Sequence, residues 1–262
     1  MGVINVTPNS FSGLGENLTP EEIFHRIRSF GHVDILDVGA ESTAPMNQSI
    51  TPQEELARLL AVFPYLKNVS IPLSLDTYHS ETIMSFAQIW MNEGIKLPLI
   101  WNDVSGKWDD HVDQFLSLSQ NFSYVFCHNL APSRELSGKH MEVEFSPLSG
   151  DEYLEELAAY FRPFAKERVI LDPTLGFSKT HDQNWNVLEN FGKLQKMVGH
   201  TQWLLGYSRK SFLRKRLGIE KLNNENRELL DKYHGEILEM IKPQLMGTVF
   251  IRTHRPELID QD

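Results

Sequence analysis

Short apolar runs alternate with longer amphipathic stretches along the chain, and run after run ends on a polar side chain followed by a loop. Residues 169–172 are a buried-strand pattern that stops on Asp172 and breaks at once into Pro173 and Gly176. Pro72-Leu73-Ser74-Leu75-Asp76 ends on an acid, and Leu99-Ile100-Trp101-Asn102-Asp103 on an amide and an acid. Trp203-Leu204-Leu205-Gly206 runs into Ser208-Arg209-Lys210. Parallel α/β folds place their chemistry at the carboxyl ends of buried strands, so a series of such endings predicts one site.

Between these runs lie helices. Thr19-Pro20-Glu21-Glu22 and Thr51-Pro52-Gln53-Glu54 each carry a Thr cap, a Pro at the first helical position and an acid three residues after the cap. Apolar positions then recur at helical spacing: Ile23, Ile27 and Phe30, and later Leu56, Leu59, Leu60 and Phe63. The alternation predicts strands near residues 3–6, 32–38, 71–76, 97–103, 124–128, 169–172, 203–206 and 247–252. Further helices are expected over 80–92, 110–119, 153–161, 184–197 and 227–241, the last with Leu230, Tyr233, Ile237 and Ile241 inward. Residues 129–150 read as a flexible excursion at the mouth of the fold.

Eight strands with helices between them, and no Gly-rich fingerprint after the first, predict a single (β/α)₈ TIM barrel over residues 1–262 rather than a doubly wound sheet. Ten residues follow the eighth strand, so the last outer helix is expected to be short or missing, its gap covered by another surface such as a second subunit.

Composition narrows the function. The 262 residues are 41% hydrophobic with a formal charge of -10, which disfavours nucleic-acid binding. The one basic cluster, Arg209 to Arg216, is local and of a size to hold a phosphate. A single cysteine, Cys127, excludes an intrachain disulfide and a multi-cysteine zinc site and suggests a reducing compartment. No apolar run reaches membrane-spanning length, so a cytoplasmic, membrane-free protein is the expectation. No two histidines show the helical spacing of a zinc motif.

Eight blocks resemble the dihydropteroate synthase family, in the family's order across nearly the whole chain. They are Asn5-Val6-Thr7-Pro8-Asn9-Ser10-Phe11-Ser12, Asp37-Val38-Gly39-Ala40-Glu41-Ser42-Thr43, Ser74-Leu75-Asp76-Thr77 and Asn102-Asp103-Val104-Ser105-Gly106. Then come Cys127-His128-Asn129, the run from Asp172 to Thr180, Gly206-Tyr207-Ser208-Arg209-Lys210-Ser211-Phe212, and Ile251-Arg252-Thr253-His254.

The resemblance implies a (β/α)₈ barrel that condenses a dihydropterin methyl diphosphate with para-aminobenzoate, releasing diphosphate. It implies that Asp76, Asn102, Asp172 and Lys210 hold the pterin, with Val104, Cys127, Phe177 and Gly206 lining its slot. Asn5 (through Mg²⁺), Thr43, Arg252 and His254 would serve the diphosphate, and Thr43, Pro45, Phe177, Lys210 and Ser211 the aminobenzoate. Lys210, Asp172 and Arg252 form the implied catalytic set. The family also tends to dimerise, which makes a homodimer an expectation.

This chain departs from the family in two loops. Asn9 and Gly13 replace the Asp residues of the first loop, and Ala44 and Met46 replace the Arg and Gly of the second. Glu16 and Arg134 are the candidates to replace the lost charges. The departures keep open an alternative, a pterin-binding paralogue or regulatory subunit without synthase activity. A folate–corrinoid methyltransferase is a weaker third reading, because it has no diphosphate to hold. Among single residues the blander roles are preferred: Arg209 as a salt-bridge partner, His128 as a rim hydrogen-bonder, Cys127 as pocket wall and Asp103 as a loop brace.

Overall fold

The computed structural model describes residues 1–6, 20–29, 33–41, 49–220 and 223–259. Eight strands form one parallel sheet in chain order: β1 (Gly2–Asn5), β2 (Leu36–Gly39), β3 (Leu73–Asp76), β4 (Leu99–Asp103), β5 (Phe122–Cys127), β6 (Val169–Asp172), β7 (Gln202–Leu205) and β8 (Thr248–Ile251). The sheet returns on itself. Val3 donates to the Thr253 carbonyl at 3.0 Å, and Thr253 donates to the Met1 carbonyl at 3.1 Å, joining the chain just past β8 to β1.

Side chains alternate across this sheet as a pleat requires. Leu36, Val38, Leu73, Leu75, Leu99, Trp101, Tyr124, Leu171 and Trp203 face outward and share one large core with the helices. Ile35, Ile100, Val125, Ile170, Leu204 and Phe250 face inward and fill the barrel, so its interior is a packed plug. Two residues beyond the inward positions Ser74, Ile100, Val125, Ile170 and Leu204 come Asp76, Asn102, Cys127, Asp172 and Gly206. The same alternation that fills the barrel therefore turns the polar strand endings toward its carboxyl mouth.

The helices are α1 (Pro20–Ser29), α2 (Pro52–Leu66), α3 (Ser80–Asn92), α4 (Asp110–Leu118), α5 (Gly150–Phe161), α6 (His181–Glu189), α7 (Phe191–Val198), α8 (Ser211–Arg216) and α9 (Asn224–Ile241). α2 starts at the expected capping box, with Thr51 Oγ1 accepting from the Glu54 amide. Ile23, Leu59 and Phe63 are buried as expected, as are Leu230, Ile237 and Ile241. Phe30 lies outside the described residues.

Several boundaries differ from the sequence reading. The helix expected over 184–197 is two, because Asn190 leaves helical backbone (φ -122, ψ 27) and turns its side-chain amide back onto Asn186. α8 was hidden inside the basic cluster; Phe212 and Leu213 bury its inner side. After β8 the described residues carry one 3₁₀ turn, Pro256–Leu258.

The excursion over residues 129–150 is tied down rather than free. Asn129 donates to the carbonyls of Val104 and Ser137, and Ala131, Arg134, Ser137 and His140 are buried. Arg134 is held by the buried Asp103 and by Asp109, with its guanidinium 4.9 Å from the centre of the Trp101 ring. It braces the outer face of β4 and has no freedom to replace a loop charge. Asp103 is the brace that the sequence suggested, since it also accepts from Tyr124 Oη at 2.7 Å.

Gly106 makes this packing possible. Its φ of +67 is unfavourable for any side chain, and an added Cβ would lie 2.8 Å from the carbonyl oxygens of both Cys127 and Asn129. Gly106→Ala should cost more than about 1 kcal/mol of stability, read as a lower urea midpoint at unchanged slope. An unchanged midpoint would show that β4 and the 129–150 segment are free to part.

Candidate functional site

Arg252 follows β8 directly and points across the mouth. Its Nε donates to Asp37 Oδ2 at 2.7 Å, and its Nη2 pairs with Asp76. Asp37 also accepts from Ser74 Oγ at 2.6 Å and from Asn102 Nδ2 at 3.2 Å. One guanidinium thus links β8 to β2 and β3, and one carboxylate gathers β2, β3 and β4. Burial pushes the Asp76 carboxyl up to about 6, against the pull of Arg252 in the other direction.

On the facing side, Asp172 ends β6. Its Oδ1 accepts from the Thr174 amide at 2.6 Å, and its Oδ2 lies 3.9 Å from Cys127 Sγ. Burial raises the Asp172 carboxyl, while Lys210, Lys179 and Arg252 favour its charged form. Cys127 is buried, and burial beside Asp172 raises its thiol well above the usual range, as suits a pocket wall rather than a nucleophile.

The turn after β6 holds left-handed backbone at Thr174 (φ 53), Gly176 (φ 85) and Ser178 (φ 46). Such conformations persist where the surroundings determine them. Here Gly176 N–H donates to Asn184 Oδ1 at 2.6 Å, and Ser178 Oγ accepts from the Leu130 amide and donates to the His140 carbonyl. The pinned turn presents Phe177, which with Tyr78 and Val104 forms a small apolar cluster apart from the main core. His140 stacks on the Phe177 ring at 3.8 Å, and Lys210 Nζ lies 4.6 Å from its centre. Burial and Arg252 lower the Lys210 ammonium to about 8.

Beyond Arg252 lies His254. Burial, then the charges of Arg252, Arg209, Arg26 and Lys210, hold its imidazole well below the usual range, so it is neutral. Its buried Nδ1 has no hydrogen-bond partner among the described residues. A neutral imidazole with an unsatisfied nitrogen among four cations suits an anionic ligand. Arg209 is itself committed to Asp231, at 3.5 Å, as the sequence suggested. His128 Nδ1 meets Lys179 Nζ at 2.7 Å, a rim hydrogen bond as expected.

The structure therefore brings Asp76, Asn102, Cys127, Asp172, Gly206, Lys210 and Arg252 to one mouth, with Val104 and Phe177 beside them. Gly206 is placed by Arg252, whose Cβ would lie 3.6 Å from a Cβ added there. Asn5 ends β1 in register with Gly39. Ser211 is exposed at the start of α8. Thr43 and Pro45 lie outside the described residues, as do Asn9, Gly13, Glu16, Ala44 and Met46. Among the described residues no group of three or more His, Cys, Asp or Glu is arranged to hold a metal, and no helix is long and apolar enough to cross a membrane.

The sequence reading missed Asp37 and Lys179 as members of this site. Asp37 carried a signal, a charge inside the apolar run Leu36 to Gly39, where only a buried partner makes it tolerable. Replacing it tests that partnership: Asp37→Asn leaves Arg252 short of charge and should cost ~3 kcal/mol of stability. A loss under ~1 kcal/mol in chemical denaturation would mean that the Arg252–Asp37 link is dispensable.

Known proteins share this arrangement of elements. Residues 1–234 match the model of the family described as pterin binding enzyme. The folate synthesis bifunctional protein of Arabidopsis thaliana is 30% identical over 230 residues, covering 81% of this chain and 46% of that protein. The dihydropteroate synthase of a Synechocystis strain is 29% identical over 227 residues, covering 82% of this chain and 73% of that protein. The crystal structure of dihydropteroate synthase from Clostridium difficile in the presence of pteroic acid has a TM-score of 0.73 at 26% identity, covering 99% of this chain and 92% of that one. The chain spans less than half the length of the plant bifunctional relatives that it matches. With a family match that extends over most of its residues, this chain belongs to the pterin binding enzyme family.

Proposed function

We propose that the chain is a dihydropteroate synthase, joining 6-hydroxymethyl-7,8-dihydropterin diphosphate to para-aminobenzoate with release of diphosphate. The observation that carries this reading is the convergence of Asp76, Asn102, Asp172 and Lys210 at one mouth, with Arg252 and a His254 nitrogen that has no partner among the described residues.

A pterin presents N–H donors and a carbonyl along one edge. Ionised Asp172 accepts from that edge, Lys210 donates to the carbonyl, and Asp76 and Asn102 serve the remaining ring nitrogens. Unpaired buried polar groups are costly, so a ring lacking these complements is rejected. Arg252 and His254 take the diphosphate. Positive charge and donors aimed at the leaving oxygens lower the barrier to breaking the methylene C–O bond, whose electron pair departs with the diphosphate. The aminobenzoate nitrogen forms the new C–N bond from the Phe177 side, its carboxylate toward Lys210 and Ser211, and the N–H proton it sheds goes to the departing diphosphate or to water. The family resemblance would add Thr43 and Pro45, which lie outside the described residues, to that pocket.

Mg²⁺ belongs to this proposal as a companion of the substrate. Asn5 supplies a neutral amide oxygen, and among the described residues no carboxylate cage surrounds it, a donor set that suits an ion already bound to diphosphate oxygens and water. When bound there it would neutralise charge on the leaving group. A homodimer and a cytoplasmic setting remain parts of the same proposal.

Diphosphate release, followed with both substrates and Mg²⁺, tests the reading. Turnover should need both substrates, and Asp172→Asn or Lys210→Met should each lower kcat/KM by ~100-fold or more. Asp76 must be ionised to accept, and Lys210 protonated to donate. The kcat/KM for the pterin should therefore rise with pH through about 6 and fall above about 8. Pterin binding without turnover would favour the non-catalytic relative that Gly13 and Ala44 suggest; no binding would sink the proposal.

A further inference from the structure

Lys179 takes no part in the chemistry above, yet it is only 2% exposed and its charge acts on Asp172. Its Nζ donates to the Phe177 carbonyl at 3.2 Å and lies 2.7 Å from His128 Nδ1. His128 is in turn fixed through its own backbone amide, which donates to the Asp172 carbonyl at 3.0 Å and to Thr174 Oγ1 at 3.0 Å. The His128 ring rests edge-on against Tyr160 at 4.7 Å and has little room to turn. Lys179 is thus strung between two anchors, one just after β5 and one in the turn after β6, and both belong to the segments that shape the mouth.

We propose that Lys179 is a positioning residue that acts through Asp172 and Phe177: its amino group supplies a buried cation for Asp172 and ties down the strained turn that carries Phe177. It touches neither substrate. The inference rests on the pterin reading only for its consequences in catalysis.

Three features support it. First, the turn it ties is the one with left-handed backbone at Thr174 and Ser178, which needs outside bonds to persist. Lys179 is the charged side chain among those bonds. Second, a buried carboxylate needs nearby positive charge to remain ionised. Asp172 faces Lys210, Lys179 and Arg252, but Lys210 and Arg252 lie on the side assigned to substrate and must also serve the pterin and the diphosphate. Lys179 is the cation that substrate does not compete for. Third, the 2.7 Å contact needs a donor and an acceptor, and His128 is the acceptor because burial and Lys179 hold its imidazole well below the usual range.

The titratable groups facing Lys179 are Asp172, Cys127 and Lys210, with His128 in contact and His140 on the neighbouring segment. Burial lowers its ammonium to about 7, and Asp172 pulls the other way. Its support for Asp172 is accordingly strongest below about pH 7 and fades as the amine loses its proton.

The test is a ¹³C NMR titration of the Asp172 carboxyl in the ligand-free full chain, for wild type and Lys179→Met. Without the Lys179 cation, Asp172 should titrate about one unit higher, a tenfold tighter hold on its proton. In the same variant KM for the pterin substrate should rise ~10-fold below pH 7, with the gap to wild type closing above pH 8. If Lys179→Met does not fold, His128→Leu removes the acceptor, releases the amino group and should move the Asp172 titration in the same direction. An unchanged Asp172 titration in the folded variant overturns the proposal. A wild-type chain that binds no pterin sinks the functional reading, while the titration still decides the role of Lys179.

Discussion

One guanidinium holds the mouth of this barrel together. Arg252 reaches from the end of β8 to carboxylates on β2 and β3, bridging the seam where the sheet closes on itself. A buried cation with one partner removed is strongly destabilising, and the same holds for a buried carboxylate. The mouth therefore works as a balanced set, with Asp37, Asp76 and Asp172 set against Arg252, Lys210 and Lys179. For Asp76, Asp172, Lys210 and Lys179, neighbours of opposite charge oppose the pull of burial toward the neutral form.

That balance connects stability with function. Charges that are satisfied by one another do not need water, so the mouth can be dry enough to favour a ligand with matching donors and acceptors. A pterin edge would exchange places with Arg252 as the partner of Asp76, and a diphosphate would receive the guanidinium in return. The neutral His254, held so by the cations around it, has a nitrogen ready for that anion. The Phe177 turn adds the apolar wall, fixed by bonds from α6, from the 129–150 segment and from Lys179.

Asp76, Asn102 and Asp172 were legible because each ends an apolar run before a turn. The barrel was legible for the same reason, since the alternation of runs is the alternation of strands and helices. Asp37 falls within one of the matching blocks, but its own sequence context assigns it no role. It lies two residues deeper in its strand, in register with Ser74, where a carboxylate reads as an exception until Arg252 is seen to reach it. Lys179 was hidden because nothing in Ser178-Lys179-Thr180 tells that the chain turns its amino group inward. The 129–150 segment looks mobile from its Ser, Pro and charge content; its order comes from Asn129, Arg134 and Ser178, contacts distant in sequence. α8 escaped because six residues in a basic cluster show too little periodicity.

A crystal structure of the chain with a dihydropterin diphosphate bound would test the central claim, that this charge-balanced mouth is a pterin site, most directly. The account predicts the pterin edge on Asp172, Asn102 and Asp76, with the diphosphate against Arg252 and His254. A pterin bound elsewhere, or a mouth still closed by the Arg252–Asp76 pair with no pterin edge on Asp172, would contradict it.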